Sequence, residues 1–211
     1  MTTIALFGAT GKTGSRVLAR ALAAGFDVRA LVRTPSKLTT SDDRLTVITG
    51  DITDADAVDR TIKGADAVLS LFGQVKGSPK TLQTDGTGAI VAAMHNRGVR
   101  RLVTLSGGGL RDEEHDRPKG ADRVMRVLLK TLAGHVLADA EGHLEVLRES
   151  GLDWTVVRGP RLTEDPGTGT YRVGWVGVGT GMKISRDDLA DFILTQVTDD
   201  TYVHSLPFVS A

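Results

Sequence analysis

No cysteine occurs among the 211 residues of this chain. Its absence excludes disulfides, thiolate-bound zinc, iron–sulfur clusters and cysteine nucleophiles. An excess of either charge is also missing, because 26 Lys and Arg residues balance 26 Asp and Glu residues. A strongly basic surface is the usual footprint of nucleic-acid binding, so nucleic acid is not an expected partner.

Long apolar runs are missing as well. Charged residues interrupt every hydrophobic stretch before it reaches the ~18 residues that a membrane span requires. The first residues also lack a basic region followed by an apolar core, which would indicate a signal peptide. The sequence therefore predicts no membrane partner, and we expect the protein in the cytoplasm.

The composition, 40% hydrophobic and 25% charged, is that of a globular protein. Short apolar runs alternate with longer amphipathic stretches, which is typical of β-α-β units and a parallel sheet. We predict an α/β fold, a single doubly wound domain over residues 1–211 with a mostly parallel sheet and a small loop-rich substrate region. The predicted strands are 3–7, 27–32, 45–49, 67–71, 101–105 and 154–158. The predicted helices are 12–24, 55–62, 84–96, 122–149 and 186–197.

Local signals mark several ends of these elements. Asp54 is suited to cap the second helix. Glycines stand where three helices should end: Gly25, Gly98 and Gly151. Residues 111–120 and 163–181 are polar or Gly-rich and lack periodicity, so they are predicted to be loops at one end of the sheet.

A glycine motif, GATGKTG, occupies residues 8–14 directly after the first predicted strand. Glycines permit a tight turn and let a pyrophosphate approach backbone N–H groups at the positive end of a helix dipole. Because the motif joins a strand to a helix within a β-α-β unit, it predicts a dinucleotide site. A P-loop is excluded, since Leu6 stands where that motif needs its first glycine.

The second predicted strand indicates which dinucleotide is bound. NAD sites carry an Asp or Glu about 20 residues beyond the glycines, where it binds the ribose 2′-OH. Here the strand ends in Arg33, with Lys37 four residues later, and both cations suit a 2′-phosphate. The sequence therefore favours NADP(H) over NAD(H), although both side chains also suit an ordinary charged surface.

Several stretches resemble the biliverdin IXβ reductase and flavin reductase family, among the atypical short-chain dehydrogenases with an NAD(P)H-binding, NmrA-like Rossmann domain. The resemblance is carried by the glycine loop and by residues 31–33, 50–51, 66–68, 146–152 and 184–189. It extends from residue 4 to about residue 207 and is weakest between residues 111 and 141.

This resemblance implies an NADPH-dependent reductase and assigns its cofactor contacts. Around the pyrophosphate it places Gly8, Thr10, Gly11, Lys12, Thr13 and Gly14, and at the 2′-phosphate Arg33 and Lys37. By the adenine it places Asp51 and Ile52, by the ribose Leu71, Phe72 and Gly73, and near the nicotinamide Ser106. Pro160 is a further expected cofactor contact.

The usual proton donor of short-chain dehydrogenases is absent. These enzymes use a Tyr with a Lys four residues later, whereas Tyr171 and Tyr202 are followed at that spacing by Trp175 and Leu206. Hydride transfer to a flavin, quinone-like or other conjugated acceptor can proceed without a side-chain acid. The acceptor is therefore expected to be a small molecule of this kind.

Ser106 is the candidate catalytic residue, because it follows a predicted strand at the edge where open α/β sheets bind ligands. Its hydroxyl could orient the nicotinamide or the acceptor, or it could only begin a turn. A nucleophilic serine is disfavoured, since Thr104 replaces the first glycine of the nucleophile elbow.

Basic residues in the predicted loops are candidates to bind a phosphate or carboxylate of the acceptor. They are Arg111, Arg117, Lys119 and Arg161, of which Arg111 and Arg161 are assigned to the substrate and Arg161 is the favoured one. His135, Asp139 and His143 share a helical stripe, which we interpret as a polar helix face without a metal.

Two other functions are alternatives to the reductase. A non-enzymatic NADP(H)-binding redox sensor of the NmrA type, acting through a protein partner, would keep the glycine loop without turnover. A nucleotide-sugar epimerase or dehydratase is disfavoured by the short C-terminal region and the missing Tyr-Lys pair. We expect a monomer or a weak homo-oligomer.

Overall fold

The computed structural model describes the backbone of all 211 residues and every side chain except those of residues 121–126, 128–130 and 132. The strands are β1 Thr3–Phe7, β2 Asp27–Val32, β3 Leu45–Thr49, β4 Ala67–Ser70, β5 Arg101–Gly107, β6 Asp153–Gly159, β7 Arg161–Thr163, β8 Arg172–Gly174, β9 Lys183–Ser185 and β10 Phe208–Ser210. The helices are α1 Gly14–Ala23, α2 Ala55–Ile62, α3 Leu82–Arg97, α4 Gly120–Glu149 and α5 Arg186–Thr195.

Eight strands form one twisted sheet in the order β3-β2-β1-β4-β5-β6-β10-β8. All neighbouring pairs are parallel except β8 and β10, which are antiparallel. The order of the first six strands is that of the Rossmann fold, and the order reverses between β1 and β4. The prediction of a doubly wound, mostly parallel α/β fold is confirmed.

Helices cover both faces of this sheet. Helices α1 and α5 contact each other on one face, while α2, α3 and α4 form a layer on the other. Strand β1 shows why a continuous apolar run suits this position: Ile4 and Leu6 belong to the core under α1 and α5, and Ala5 and Phe7 belong to the opposite core. A strand buried on both faces needs no polar residues in alternation.

The predicted elements all form, with ends that differ by no more than two residues. Asp54 caps α2, since its carboxylate accepts from the backbone N–H groups of Asp56 and Ala57. Gly98 closes α3 in the left-handed conformation, with φ of +69°. Within α4, Ala133 has non-helical angles and marks a kink that periodicity did not predict. No helix of the described residues is long and apolar enough to cross a membrane.

The prediction that residues 163–181 form only a loop is wrong, because β8 lies within them. This strand has three residues, and its ladder partner β10 follows at the C-terminal end of the chain. Strands β7, β9 and β10 were also not predicted; β7 and β9 form a separate parallel pair. Such short strands depend on a distant partner for their hydrogen bonds and carry little periodicity of their own.

Candidate functional site

The glycine loop connects β1 to α1 at the point where the strand order reverses. Gly8 has φ of +89°, and a Cβ at this position would lie 2.7 Å from the backbone of Leu71 and of Phe72. A Cβ at Gly14 would overlap the carbonyl oxygen of Gly8. Both glycines are therefore required by the fold of the loop itself, as a tight strand-to-helix turn demands.

Gly11 differs, because a Cβ there would meet only the Gly8 carbonyl oxygen, at 3.2 Å. The amides of Thr10, Lys12 and Thr13 donate to no other described group, and neither a capping hydrogen bond nor an acidic side chain occupies the first turn of α1. Free N–H groups at the positive end of a helix dipole suit an anion. The loop therefore fits a dinucleotide pyrophosphate.

A carboxylate 152 residues distant from Lys12 in sequence joins this loop. Glu164, which follows β7, forms ion pairs with Lys12, Arg16 and Arg186, each at 3.0 Å. Hydrogen bonds from Lys12 and Arg186 lower the pKa of this carboxyl group. Arg186 also donates to the Thr13 hydroxyl at 3.0 Å. The ammonium group of Lys12 is therefore already paired with Glu164. The backbone N–H of Lys12 remains available to a pyrophosphate.

The residues expected around the adenosine lie beyond the ends of β2 and β3. Arg33 and Lys37 are exposed, as a phosphate-binding pair would need to be. The carboxylate of Asp51 lies 3.6 Å from the Arg33 guanidinium group, so an acidic side chain is present beside the arginine despite its absence at the predicted spacing. Its other oxygen accepts from the backbone and hydroxyl of Thr53.

Ile52 and Phe72 form the floor of this region. A Cβ at Gly86 in α3 would lie 2.7 Å from atoms of both side chains, which places them together against that helix. Leu71 is buried against the glycine loop, and Gly73 has open space around its Cα. The structure therefore brings the predicted adenine and ribose residues to one end of the sheet.

A cavity of about 750 Å³ opens at the carboxyl ends of β5 and β6. Four predicted site residues line it: Ser106, Arg111, Pro160 and Arg161. Ser106 is largely buried, and its hydroxyl makes no hydrogen bond to a described residue. Lys119 also lines the cavity, but Arg117 does not, because its guanidinium group donates to the carbonyl groups of Glu114 and Asp116.

A buried ion pair builds the wall of this cavity. Arg158 is fully buried and binds both carboxylate oxygens of Asp116, at 2.8 and 3.0 Å. Two further N–H groups of Arg158 donate to the carbonyl groups of Leu110 and Leu206. Burial opposes ionisation of Asp116, but hydrogen bonds from Arg158 and from backbone amides outweigh it, so the pKa of this carboxyl lies below its usual value.

Asp116 also joins two loops across the strand ends. Besides Arg158, it accepts hydrogen bonds from the backbone N–H groups of Asp112 and Val176, each at 3.0 Å. Arg117 donates its backbone N–H to the Val176 carbonyl at 2.9 Å. The loop after β5 and the loop after β8 are therefore held together by one carboxylate.

The three polar residues of the α4 stripe, His135, Asp139 and His143, lie in different surroundings. His135 is exposed, whereas Asp139 is buried and accepts from the backbone of Gln83 and Thr84 at the start of α3. His143 lies 3.1 Å from the Thr104 hydroxyl, and burial lowers the pKa of its imidazole. Among the residues with described side chains, no cluster could hold a metal ion.

Among the lining residues that sequence reasoning missed are Asp116, Arg172 and Phe208. Asp116 and its partner Arg158 are separated by 42 residues, so no local motif connects them. The one available signal was Arg158 directly after the apolar pair Val156 and Val157 of β6, because buried charges require a partner. Arg172 and Phe208 belong to β8 and β10, which were not predicted.

The sequence of this chain is similar to a family of NAD(P)H-binding proteins and to individual relatives. A family model described as NAD(P)H-binding matches residues 8–200. A Streptomyces griseus protein named (4-alkanoyl-5-oxo-2,5-dihydrofuran-3-yl)methyl phosphate reductase is 32% identical over 155 residues, covering 74% of this chain and 46% of that protein. The chain spans about half the length of the curated relatives that it matches.

Solved structures agree on the fold. A short-chain dehydrogenase/reductase from Veillonella parvula in complex with NADP superposes with a TM-score of 0.78 at 19% identity, over 100% of this chain and 94% of that one. ChuY, an anaerobilin reductase from Escherichia coli O157:H7, gives a TM-score of 0.78 at 21% identity, over 99% and 97%. The NAD(P)H-binding family model matches most of the length of this chain, and the chain carries the glycine loop. This chain therefore belongs to the NAD(P)H-binding family.

Proposed function

We propose that this protein is an NADPH-dependent reductase that transfers hydride to a flavin, a quinone-like compound or another conjugated acceptor. The observation that carries the proposal is the position of the cavity. It lies at the carboxyl ends of β5 and β6 and contains Ser106 and Pro160, while the glycine loop follows β1, which β4 separates from β5 in the same sheet. A dinucleotide extended from that loop along the sheet edge would bring its nicotinamide to this cavity.

The lining of the cavity supports a conjugated acceptor. No Tyr, His or Cys side chain lines it among the residues whose side chains are described, and its one carboxylate, Asp116, is paired with Arg158. The hydroxyl of Tyr171 instead donates to Asp191, and burial together with this carboxylate raises the pKa of Tyr171 to about 12. The described lining therefore lacks the Tyr of the usual proton donor, and we propose that water supplies the proton.

The chain's own residues would act by binding and positioning. The free amides of Thr10, Lys12 and Thr13 would hold the pyrophosphate, and Arg33 with Lys37 the 2′-phosphate. Ser106 and Pro160 would orient the nicotinamide against an acceptor in the cavity. When bound, NADPH supplies the hydride, and one proton from solvent completes the reaction of NADPH, H⁺ and acceptor to NADP⁺ and reduced acceptor.

The relative from Streptomyces griseus supports reduction of a small molecule, since its name gives a reductase that acts on an oxo-dihydrofuran ring bearing a phosphate ester. The decisive test is NADPH oxidation in the presence of FMN, riboflavin, biliverdin and simple quinones. Turnover with at least one of them is expected. Tight NADPH binding without oxidation of any would favour the redox sensor instead.

Cofactor selectivity gives the first prediction. Arg33→Ala should weaken NADPH binding by about tenfold, ~1.4 kcal/mol, and leave NADH binding nearly unchanged. The effect is at the lower end for a charge-assisted contact because the Arg33 side chain is 66% exposed. Titration of both cofactors by protein fluorescence measures it.

Asp51→Asn is the companion variant for this measurement. Removing its negative charge frees Arg33, and NADPH binding should tighten while NADH binding does not. Equal affinity of the wild type for NADPH and NADH would overturn the assignment of the 2′-phosphate to Arg33 and Lys37. In that case Asp51 becomes the candidate for the ribose 2′-OH of NAD.

Ser106→Ala gives the second prediction. If the hydroxyl only positions the reactants, its loss should slow single-turnover flavin reduction by about tenfold and leave NADPH affinity nearly intact. A general acid contributes ~100- to 10,000-fold. The measurement is the hydride-transfer rate at several pH values. A thousandfold loss, with disappearance of a pH-dependent limb present in the wild type, would place Ser106 on a proton-delivery path.

A further inference from the structure

We infer that the acceptor carries an anionic group, a phosphate or a carboxylate, on an apolar conjugated body, and that Arg111, Arg161 and Arg172 bind this group. The inference rests on the proposed function for the identity of the cavity as the acceptor site. It extends the sequence-based expectation for Arg111 and Arg161 by one residue, Arg172, that the sequence did not indicate, and it makes the anionic group a requirement of the acceptor.

The three arginines differ from the buried arginines of the structure. All three line the cavity, and no hydrogen bond or ion pair joins their guanidinium groups to a described residue. By contrast, Arg101 gives its protons to backbone carbonyl groups, and Arg158 is bound by Asp116. Unpaired guanidinium groups facing one cavity are suited to bidentate binding of a phosphate or carboxylate.

The negative charge in the cavity cannot neutralise them. Asp116 is the only acidic side chain among the described residues that line it, and both of its oxygens are occupied by Arg158. Additional backbone N–H groups bind the same carboxylate. Among the described lining residues, the three arginines therefore have no carboxylate to neutralise them, which favours an anionic ligand.

Phosphates of a dinucleotide do not account for these arginines. The glycine loop and Arg33 are not among the residues that line the cavity. The pyrophosphate and the 2′-phosphate would lie at that loop and at Arg33, so both would be bound outside this space. An anion reaching Arg111, Arg161 and Arg172 must then belong to a second molecule.

The rest of the cavity fits an apolar ring system. Its wall is mostly apolar and includes Leu110, Val136, Leu137, Met182 and Phe208. A volume of about 750 Å³ lies within the usual range of pockets that bind small organic molecules. A planar conjugated body can therefore lie against this wall while its charged substituent meets the arginines.

Two pairs of acceptors that differ in one charged group test the inference. FMN and riboflavin share the isoalloxazine ring and differ by a phosphate. Anthraquinone-2-carboxylate and anthraquinone-2-carboxamide differ by a carboxylate charge. The measured quantity is kcat/KM for NADPH oxidation with each acceptor, and the ratio within each pair removes effects common to both members.

The wild type is expected to prefer the charged member of at least one pair by tenfold or more. Arg161→Gln and Arg172→Gln should each reduce that ratio by about tenfold, and Arg111→Gln should act in the same direction. Arg60→Gln is the matched control, because Arg60 is exposed on α2, lacks a side-chain partner among described residues and lies outside the cavity. This control should leave the ratio unchanged.

The outcomes separate the two proposals. Preference for FMN alone identifies a phosphate, and preference for the anthraquinone carboxylate alone identifies a carboxylate. Ratios near one in both pairs, or ratios that do not respond to the arginine substitutions, overturn the inference while leaving reductase activity intact. If no acceptor is reduced, the proposed function fails, and fluorescence titration of FMN against riboflavin in the presence of NADP⁺ still decides whether the arginines bind an anion.

Discussion

Gly11→Val is expected to weaken NADPH binding by at least about a thousandfold, ~4.1 kcal/mol, while the protein still unfolds cooperatively. The reason is the space around this residue. A Cβ at Gly11 meets only the Gly8 carbonyl oxygen, at 3.2 Å, so the loop can admit it after a small shift. The methyl groups of valine would then occupy the volume in which a pyrophosphate approaches the free amides of Thr10 and Lys12.

Isothermal titration with NADPH and thermal unfolding measure the two effects separately. Gly88→Val is the matched control, because Gly88 in α3 also has open space around its Cα and lies outside the loop. It should keep wild-type affinity. Gly14→Ala provides the opposite case: its methyl group would overlap the Gly8 carbonyl oxygen, so stability should fall together with binding. Wild-type affinity in Gly11→Val would refute the placement of the pyrophosphate.

The glycine loop could be predicted because everything it needs lies within one short segment. A buried strand, three glycines and the start of a helix are contiguous in the chain, and the structure arranges them as such a turn requires. The first six strands were predictable for a related reason. Central strands such as β1 and β4 are apolar runs buried between helices on both faces, and all four residues of β4 are buried.

The C-terminal part of the sheet could not be found in the same way. Strands β8 and β10 have three residues each, and each depends on neighbours distant in the chain. Val209 pairs with Val173, and Phe208 pairs with Arg158 of β6. Local propensity is weak over three residues, so long-range pairing decides the structure. Arg172 reaches the cavity only through this pairing and was invisible to sequence patterns for that reason.

Helical periodicity predicted that His135, Asp139 and His143 share one stripe of α4, but the three side chains do not form one polar face. Helical spacing does place Asp139 and His143 on the buried side of the helix. What each side chain binds is set by the neighbouring elements: Asp139 meets the first backbone amides of α3, and His143 meets Thr104 of β5. Periodicity specifies a face of a helix, and tertiary packing specifies its partners.

The ion pair between Arg158 and Asp116 leads to the largest expected effect on stability. Asp116→Ala should lower the free energy of unfolding by about 3–5 kcal/mol, because it leaves the fully buried Arg158 guanidinium group without its counter-charge. Urea denaturation at pH 7 measures the change. The exposed pair of Arg100 and Asp153, 2.9 Å apart, is the control, and Asp153→Asn should cost no more than about 1 kcal/mol.

The pH dependence of this difference tests its electrostatic origin. The pKa of Asp116 is lowered in the folded protein, so its contribution to stability is present above the unfolded value of about 3.9 and is lost as the pH falls through the folded value. The gap between the wild type and Asp116→Ala should therefore be constant near neutral pH and shrink in acid. A gap that stays constant down to acid pH would assign the cost to lost packing.

Loss of the Asp116 carboxylate should weaken binding of the acceptor and leave binding of NADPH unchanged. Asp116 binds the backbone of Asp112 and Val176, so its loss releases the two loops that line the cavity, while the glycine loop is untouched. We expect Asp116→Asn, which keeps the shape of the side chain, to raise KM for the acceptor by about tenfold or more and to leave the Kd of NADPH unchanged. An equal loss of affinity for cofactor and acceptor would contradict this prediction. It would mean that the ion pair of Arg158 and Asp116 supports the cofactor site as well as the cavity.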